Sequence, residues 1–490
     1  MKRRLLSAAL LAVLLLSAVS CGDAGTTTVD SGNSSDVTGT ETEAVTEIPK
    51  LPDSVQQIDM NGFELKIKHF SQDWLSWAKN TLEVEEQDGD LFNDAVYERN
   101  RTIEELFNCK LTVEDVEIIN ASDVQNEVMS GDSNYDIWYN YDIWVLNALQ
   151  FLMPWENLEN VDLTQPWWNP MATNVFDLAE DHYAAAGNFS LSVLSRASGF
   201  SFNKTIYNSL GMEKSLYDIV LDNEWTVDKM YEICVAAQKD LDGDGQITVT
   251  DQFGVNSSFK ELYARLNYGS GIAYVSRDEK GYPVFSMPGD TAAINKFQHI
   301  YDLFSDPRAF YATDRTNAES GGYGDFNGGK LLFVSDNLLG LENKRNLDLE
   351  IGIVPCPKYD SAQDTFYSPS FGAEIAVLLK TLPEDRWENV GTLMESLCYY
   401  SDAFVIPMYK EVLLKTKYAR DSESEAMLDI IIDSVSFEFG LNAWQDTVAN
   451  PLIINAVVKG DGNIASTLEK MEKSVNKQIE KLIETVEENQ

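Results

Sequence analysis

The most specific chemistry in the sequence sits in one short stretch. Asp240, Asp242 and Asp244 alternate, Gly245 follows, Gln246 and Thr248 come next, and Asp251 ends the stretch. Counted from Asp240, this places oxygen donors at the first, third and fifth positions and a glycine at the sixth, where the backbone must turn sharply. A carbonyl at the seventh and an acid at the twelfth complete the pattern of an EF-hand calcium loop. Gln246 offers its carbonyl and Thr248 an oxygen, directly or through water. Asp251 is shorter than the usual glutamate, which weakens bidentate ligation. The ion expected is Ca2+, in a structural role. Sensors need a second helix to swing open, whereas Ile247-Thr248-Val249-Thr250 and then Phe253-Gly254-Val255 favour strand. One ion would staple a helix end to the next strand; the alternative is an acidic surface turn with no ion.

Other chemistry is thin. The three histidines, His69, His182 and His299, are far apart and lack the pairing of a transition-metal site. No Gly-x-Ser-x-Gly elbow is present for a serine nucleophile. Gly324 to Gly329-Lys330 approaches a phosphate loop, but Leu331 stands where a Ser or Thr should bind magnesium and an apolar strand pattern follows, so it reads as a turn. Glycosidase chemistry needs only two carboxylates at a set distance, and 79 acidic residues leave it open by counting alone. A formal charge of -42 opposes nucleic acid and repels anionic substrates, while a neutral sugar is indifferent to it and calcium is attracted.

Aromatics carry a second signal. Trp74, Trp77, Trp144, Trp167, Trp168 and Trp444 fall in expected loops or near strand ends. A sugar presents a C-H face and a rim of hydroxyls, so its site wants flat rings flanked by polar side chains. Trp74 lies beside Asp73, and Trp144 two residues from Asp142; packing between lobes suits the Trp167-Trp168 pair better.

These residues need a scaffold, and the pattern supplies one. Phe63 to Lys68 and Lys110 to Val116 alternate as half-buried strands, Asp90 to Phe107 and Asp123 to Met129 have helical spacing, and Tyr135 to Tyr139 reads as a buried strand. That order indicates an α/β sheet with helices on its faces. A second α/β stretch has strands at Tyr183 to Ala186 and Gly199 to Phe202 and a helix from Thr226 to Lys239, followed by apolar strands near 330–334 and 351–355. The last hundred residues are largely helical, ending in an amphipathic helix from Ile464. At the other end, Lys2-Arg3-Arg4 precedes an apolar run from Leu5 to Val19, as in a signal peptide of residues 1–20. Ala18-Val19-Ser20-Cys21 resembles a bacterial lipobox with Cys21 as the lipidated residue, and two acyl chains would anchor it durably. Residues 21–54, rich in Ser, Thr, Gly and acids, read as a disordered tether. The widely spaced Cys109, Cys234, Cys356 and Cys398 allow three disulfide connectivities, but most sit beside apolar residues and read better as buried free thiols.

Several stretches together resemble the extracellular solute-binding lipoproteins of bacterial carbohydrate ABC importers, family 1 of the maltose-binding type. They are Asn93-Asp94-Ala95-Val96-Tyr97-Glu98-Arg99-Asn100, Pro166-Trp167-Trp168-Asn169, Phe202-Asn203-Lys204 with Leu210-Gly211-Met212, Glu224-Trp225-Thr226, Gly352 to Asp360, and Ala419 to Ser424. Their order along the chain is the specific part. The resemblance implies an α/β, two-lobe, periplasmic-binding-protein-like fold of type II, with a hinge and an interlobe cleft, and no catalysis. Lobe 1 is expected at 55–165 and 320–365, lobe 2 at 166–319 and 366–490. It implies a monomeric receptor on the extracytoplasmic face of the cell membrane that passes a neutral carbohydrate to an ABC permease. Cleft residues would be Trp74, Trp77, Asp142 and Trp144 on one side and Asn188, Tyr268, Glu374 and Trp444 on the other. Relatives often carry Gly-Asp where this chain has Gly187-Asn188, which removes a charge. A calcium-dependent surface adhesion or scaffold lipoprotein and a secreted glycosidase are the rival readings.

Overall fold

The computed structural model describes residues 50–51, 55–70, 82–117, 119–141, 145–312, 326–344, 346–414, 422–460 and 462–489. Its elements follow from local chemistry. Strand β1 (Phe63–Phe70) buries Leu65, Ile67 and His69 in alternation. Helix α1 (Leu91–Phe107) starts where the Asp90 carboxylate accepts from the amides of Phe92 and Asn93, and it ends on Asn108 in the left-handed region at φ 49°. Next come β2 (Cys109–Val116), α2 (Ala121–Ser130), β3 (Ile137–Tyr141) and β4 (Leu152–Met153). The middle of the chain supplies β5 (Ser198–Asn203), α3 (Val227–Ala237), β6 (Phe253–Val255), α4 (Phe259–Gly269), α5 (Thr291–Phe304), β7 (Leu331–Asn337) and β8 (Ile351–Pro355). The remainder supplies β9 (Glu374–Leu379), α6 (Glu384–Tyr400), α7 (Ile406–Leu414), α8 (Ser422–Asp433) and α9 (Ile464–Asn489).

Two main sheets result. The first has the order β2-β1-β3-β9-β4, with β1 parallel to β2 and β3 and with β9 antiparallel to β3 and β4. The second has the order β8-β5-β7-β6, with β5 antiparallel to both of its neighbours. The pairing corrects the expected division of the chain. The strands at 331–337 and 351–355 were expected with the first lobe, but both hydrogen-bond to β5 in the second sheet. Glu374–Leu379, expected in the second lobe, pairs with β3 in the first, and α6 packs behind it. A short apolar strand advertises burial and not its partner, so the exchange of strands between sheets is invisible to periodicity. Tyr183 to Ala186, expected as a strand, forms only a single bridge, Ala185 to Ala376. All four residues are buried, so no alternation could define a face.

Among the described residues, three passages between the sheets lie close together. Residues 185–197 lead from the first to the second, and 370–376 lead back. These two run antiparallel beside one another, bridged at Ala185 to Ala376 and at Ala197 to Ser370. The third passage is inside a helix: α6 continues into α7 through a π-helical segment, Ser401–Val405. Such one-turn irregularities let a helix change course without ending. α6 contributes Val390, Leu393 and Leu397 to the first-sheet core, and α7 contributes Tyr409 to the second.

Candidate functional site

Strand direction locates the site. Because β5 begins directly after the first crossing, its antiparallel partners must end there, and Asn337 pairs with Ser198 and Pro355 with Gly199. In the first sheet β9 begins directly after the second crossing, so β3 ends beside it, with Tyr141 opposite Glu374. β1 is parallel to β3 and ends at Phe70 on the same edge. The carboxyl ends of β1, β3, β7 and β8 therefore all face the crossings, the place where open α/β sheets take ligands.

Aromatic and cationic side chains meet at this junction. Phe70 meets Tyr141 edge-on at 4.9 Å between ring centroids. The Arg196 guanidinium lies 5.6 Å from the Tyr141 ring centre, and its Nη1 donates to the Phe371 carbonyl at 3.4 Å. Arg265, from α4, lies 5.3 Å from the Phe371 ring centre. Gly372 follows at φ 63°, a conformation that suits glycine and lets the second crossing turn in front of Tyr141. Rings and guanidinium groups offer flat faces and fanned donors, which is what binding a polyhydroxylated ring requires.

A buried charged group braces the same edge. His69 Nδ1 stands 2.6 Å from the Asp115 carboxylate, and Nε2 stands 3.5 Å from that of Glu374. Burial favours the neutral imidazole, but the hydrogen bonds and charges of the two carboxylates outweigh it and hold the pKa at about 9. His69 is thus an imidazolium at neutral pH. Glu374 also lies 3.5 Å from the Ser190 hydroxyl, and its backbone amide donates to Ser192 Oγ at 2.8 Å. A cavity of about 20 Å³ beside Glu374, Arg196 and Tyr409 has room for one water.

Of the residues expected in the cleft, Trp74, Trp77, Asp142 and Trp144 lie outside the described residues, as does Cys21. The other four fall in two groups. Asn188 and Glu374 are on the crossings, where the Asn188 amide donates to Asp402 Oδ1 of the π segment at 2.9 Å. Tyr268 and Trp444 share a neighbourhood: the Tyr268 hydroxyl donates to the Phe437 carbonyl at 2.9 Å, and Trp444 packs edge-on against Phe439. Burial of Tyr268 raises its phenol well above the usual range. Asn442 ties this turn to the second crossing by donating to the Ser370 carbonyl at 2.6 Å. Sequence reading missed Tyr141, Arg196, Arg265 and Phe371. The two arginines had a faint signal, as basic residues inside apolar stretches of an acidic chain; Phe371 had none. Trp167 and Trp168 are structural, both indoles donating to Glu395, at 2.9 and 2.5 Å. The glycines before Lys330 lead into β7 instead of a helix, as expected of a turn.

The acidic loop joins α3 to β6, as expected, with its ends closed by a bridge between Lys239 and Gln252, but Ile247 to Thr250, expected as strand, stays in the loop and only Phe253–Val255 pairs. Ligand oxygens of Asp240, Asp242 and Asp244 lie within 4.8 Å of one another. Asp240 accepts from the amides of Gly243 and Gly245, at 2.6 and 2.8 Å, and both glycines have positive φ. The hydroxyl of Thr250 and the amide of Asp244 hold the Asp242 carboxyl below its ordinary pKa. Asp251 behaves differently. It is fully buried, and its two oxygens accept from the amides of Leu241 and Thr248, at 2.9 and 2.8 Å. The donor set fits a hard divalent cation at the first, third and fifth positions, while the twelfth residue secures the loop's own backbone.

No protein-family model matches the sequence, and no curated protein is significantly similar to it. Solved structures do share its fold. The cyclic alpha-maltosyl-1,6-maltose binding protein of Arthrobacter globiformis superimposes with a TM-score of 0.54 at 13% identity, over 85% of this chain and 99% of that one. The sugar-binding protein MalE of Xanthomonas citri gives 0.54 at 13% identity, over 85% and 98%. The MalE domain of Bdellovibrio bacteriovorus bound to maltotriose gives 0.51 at 15% identity, over 85% and 100%. The fold is the two-lobe, α/β fold of these solute-binding proteins.

Proposed function

We propose that this chain is a non-catalytic receptor that captures a carbohydrate between its two sheets and hands it to an ABC permease. The observation that carries the reading is the junction itself: two antiparallel crossings, with the carboxyl ends of strands from both sheets facing them. A ligand touching both sides there stabilises closure by the difference of its contacts in the two states. The fold shared with proteins described as binding maltotriose and cyclic alpha-maltosyl-1,6-maltose supports the ligand class. The charge of -42 argues for an uncharged guest. Lipid on Cys21 would hold the receptor at the extracytoplasmic face. In the acidic loop, Ca2+ would be held by Asp240, Asp242 and Asp244 with Gln246 and Thr248, and Asp251 would keep the loop closed around it. The ion would supply structural cross-linking of α3 to β6.

A thermal-shift screen against a carbohydrate library, with and without chelator, tests the reading. The expected result is a shift with a defined sugar and a more compact scattering profile on binding. Alanine at a true platform among Trp74, Trp77, Trp144 and Trp444 should weaken that binding by about 1–3 kcal/mol with little loss of fold. No shift with any sugar and unchanged scattering would overturn the receptor reading and leave the adhesion or scaffold alternative. Release of reducing ends from a glycan panel would replace it with a glycosidase.

A further inference from the structure

Helix α1 belongs to both halves of the fold. Phe92, Ala95 and Val96 in its first turns pack with Phe253, Leu331 and Ile351 of the second sheet. Ile103 and Phe107 in its last turns pack with Leu65, Leu111 and Ile137 of the first. Arg99 lies where the helix changes allegiance, and it is 1% exposed. Its guanidinium spreads over separate segments: Nη1 donates to the Phe189 carbonyl at 3.1 Å and to Ser401 Oγ at 3.0 Å, and Nη2 donates to the Leu82 carbonyl at 2.8 Å. Nε donates to Asn100 Oδ1 at 2.9 Å, and the Asn100 amide returns to the same Leu82 carbonyl. Phe189 lies on the first crossing and Ser401 opens the π segment of the third. A second link joins the same two passages, from Asn188 to Asp402.

We infer that Arg99 is a positioning residue that sets the opening equilibrium of the two halves by clamping the first and third crossings to α1, a helix that both cores share. Only a planar fork can do this: guanidinium donors point along fixed, divergent directions, whereas an ammonium is a point donor on a flexible stem. Any rotation of one sheet against the other must shear α1 along one core or carry the crossings past Arg99. The clamp therefore stabilises the arrangement in which these bonds are made against any in which the halves have rotated, and a change in it alters the population of each state. This inference rests on the receptor reading for its purpose, though not for its test.

The test uses the full chain without ligand. Arg99→Lys keeps the charge and removes the fork. Amide hydrogen exchange at residues 185–197 and 398–406 is expected to speed up at least tenfold relative to β5 and β7, and the small-angle scattering curve is expected to change. Ser401→Ala removes a single acceptor and should show both effects in smaller measure, which keeps the proposal testable should Arg99→Lys fail to fold. A smaller relative change in exchange at the crossings, or scattering superimposable on that of the wild type, overturns it. Because no sugar is present, failure here is separate from failure of the carbohydrate screen, which would sink the receptor reading alone.

Discussion

The acidic loop and the crossing junction solve the same problem, holding polar groups in a fixed arrangement, by opposite means. In the loop the carboxylates bond locally: Asp240 reaches Gly243 and Gly245, Asp244 reaches Gln246, and Asp251 reaches Thr248 and Leu241. At the junction the partners come from distant parts of the chain: Arg99 with Phe189 and Ser401, His69 with Asp115 and Glu374, Asn188 with Asp402. Asp240, Asp242 and Asp244 are exposed, whereas Arg99, His69 and Glu374 are buried. The same number of charges therefore carries more free energy at the junction, where solvent does not screen them.

The contrast can be tested at four strengths. Arg99→Met takes a donor from the Phe189 carbonyl and from Ser401 Oγ in a buried site, and should cost about 1–3 kcal/mol for each, read as a lower urea midpoint at unchanged slope. A cost below about 1 kcal/mol would mean that the junction is held elsewhere. The next effect is in pH. His69 has its pKa raised in the fold to about 9 from 6.5, so its stabilisation is complete below pH 6.5 and is lost as pH rises through 9. The span corresponds to roughly 3 kcal/mol at most. His69→Gln should flatten the stability profile between pH 6.5 and 9, and a profile left unchanged would show that the imidazolium is not the cause.

Calcium addresses the loop alone. At a free concentration a hundredfold above its dissociation constant it should add about 2.7 kcal/mol, seen as a rise in Tm that a chelator reverses. Asp242→Asn should abolish the rise and Arg99→Lys should keep it; coupling between the two would break the separation drawn here. The smallest expected effect is that of Asn188→Asp, which sets a second carboxylate against Asp402. It should cost about 1 kcal/mol at neutral pH and less on acidification, as a proton taken up by either carboxyl removes the repulsion. Thermal melts at pH 7 and pH 4 check it.

The helices and most strands were legible in the sequence because their causes are near neighbours. Asp90 caps α1, the alternation of Leu65 and Ile67 defines β1, and the spacing of Leu468, Val475, Ile479 and Leu482 defines the buried face of α9. The acidic loop was legible for the same reason, down to the glycine at its sixth position. Asp251 was only half legible: its place in the pattern was right, but its carboxylate turned to backbone amides, a choice made by burial.

The sequence alone determined the α/β character, the order of elements, the acidic loop and the overall charge, since each is written in spacing or composition. Tertiary structure decided which sheet received β7, β8 and β9, and with them which side chains meet. Pairing of short buried strands is set largely by geometry, so the expected division of the chain placed β7, β8 and β9 with the wrong sheets. Arg99, Arg196, Arg265 and Phe371 acquired their partners only then. Their surroundings are assembled from residues up to about three hundred positions apart, and no window along the chain contains them.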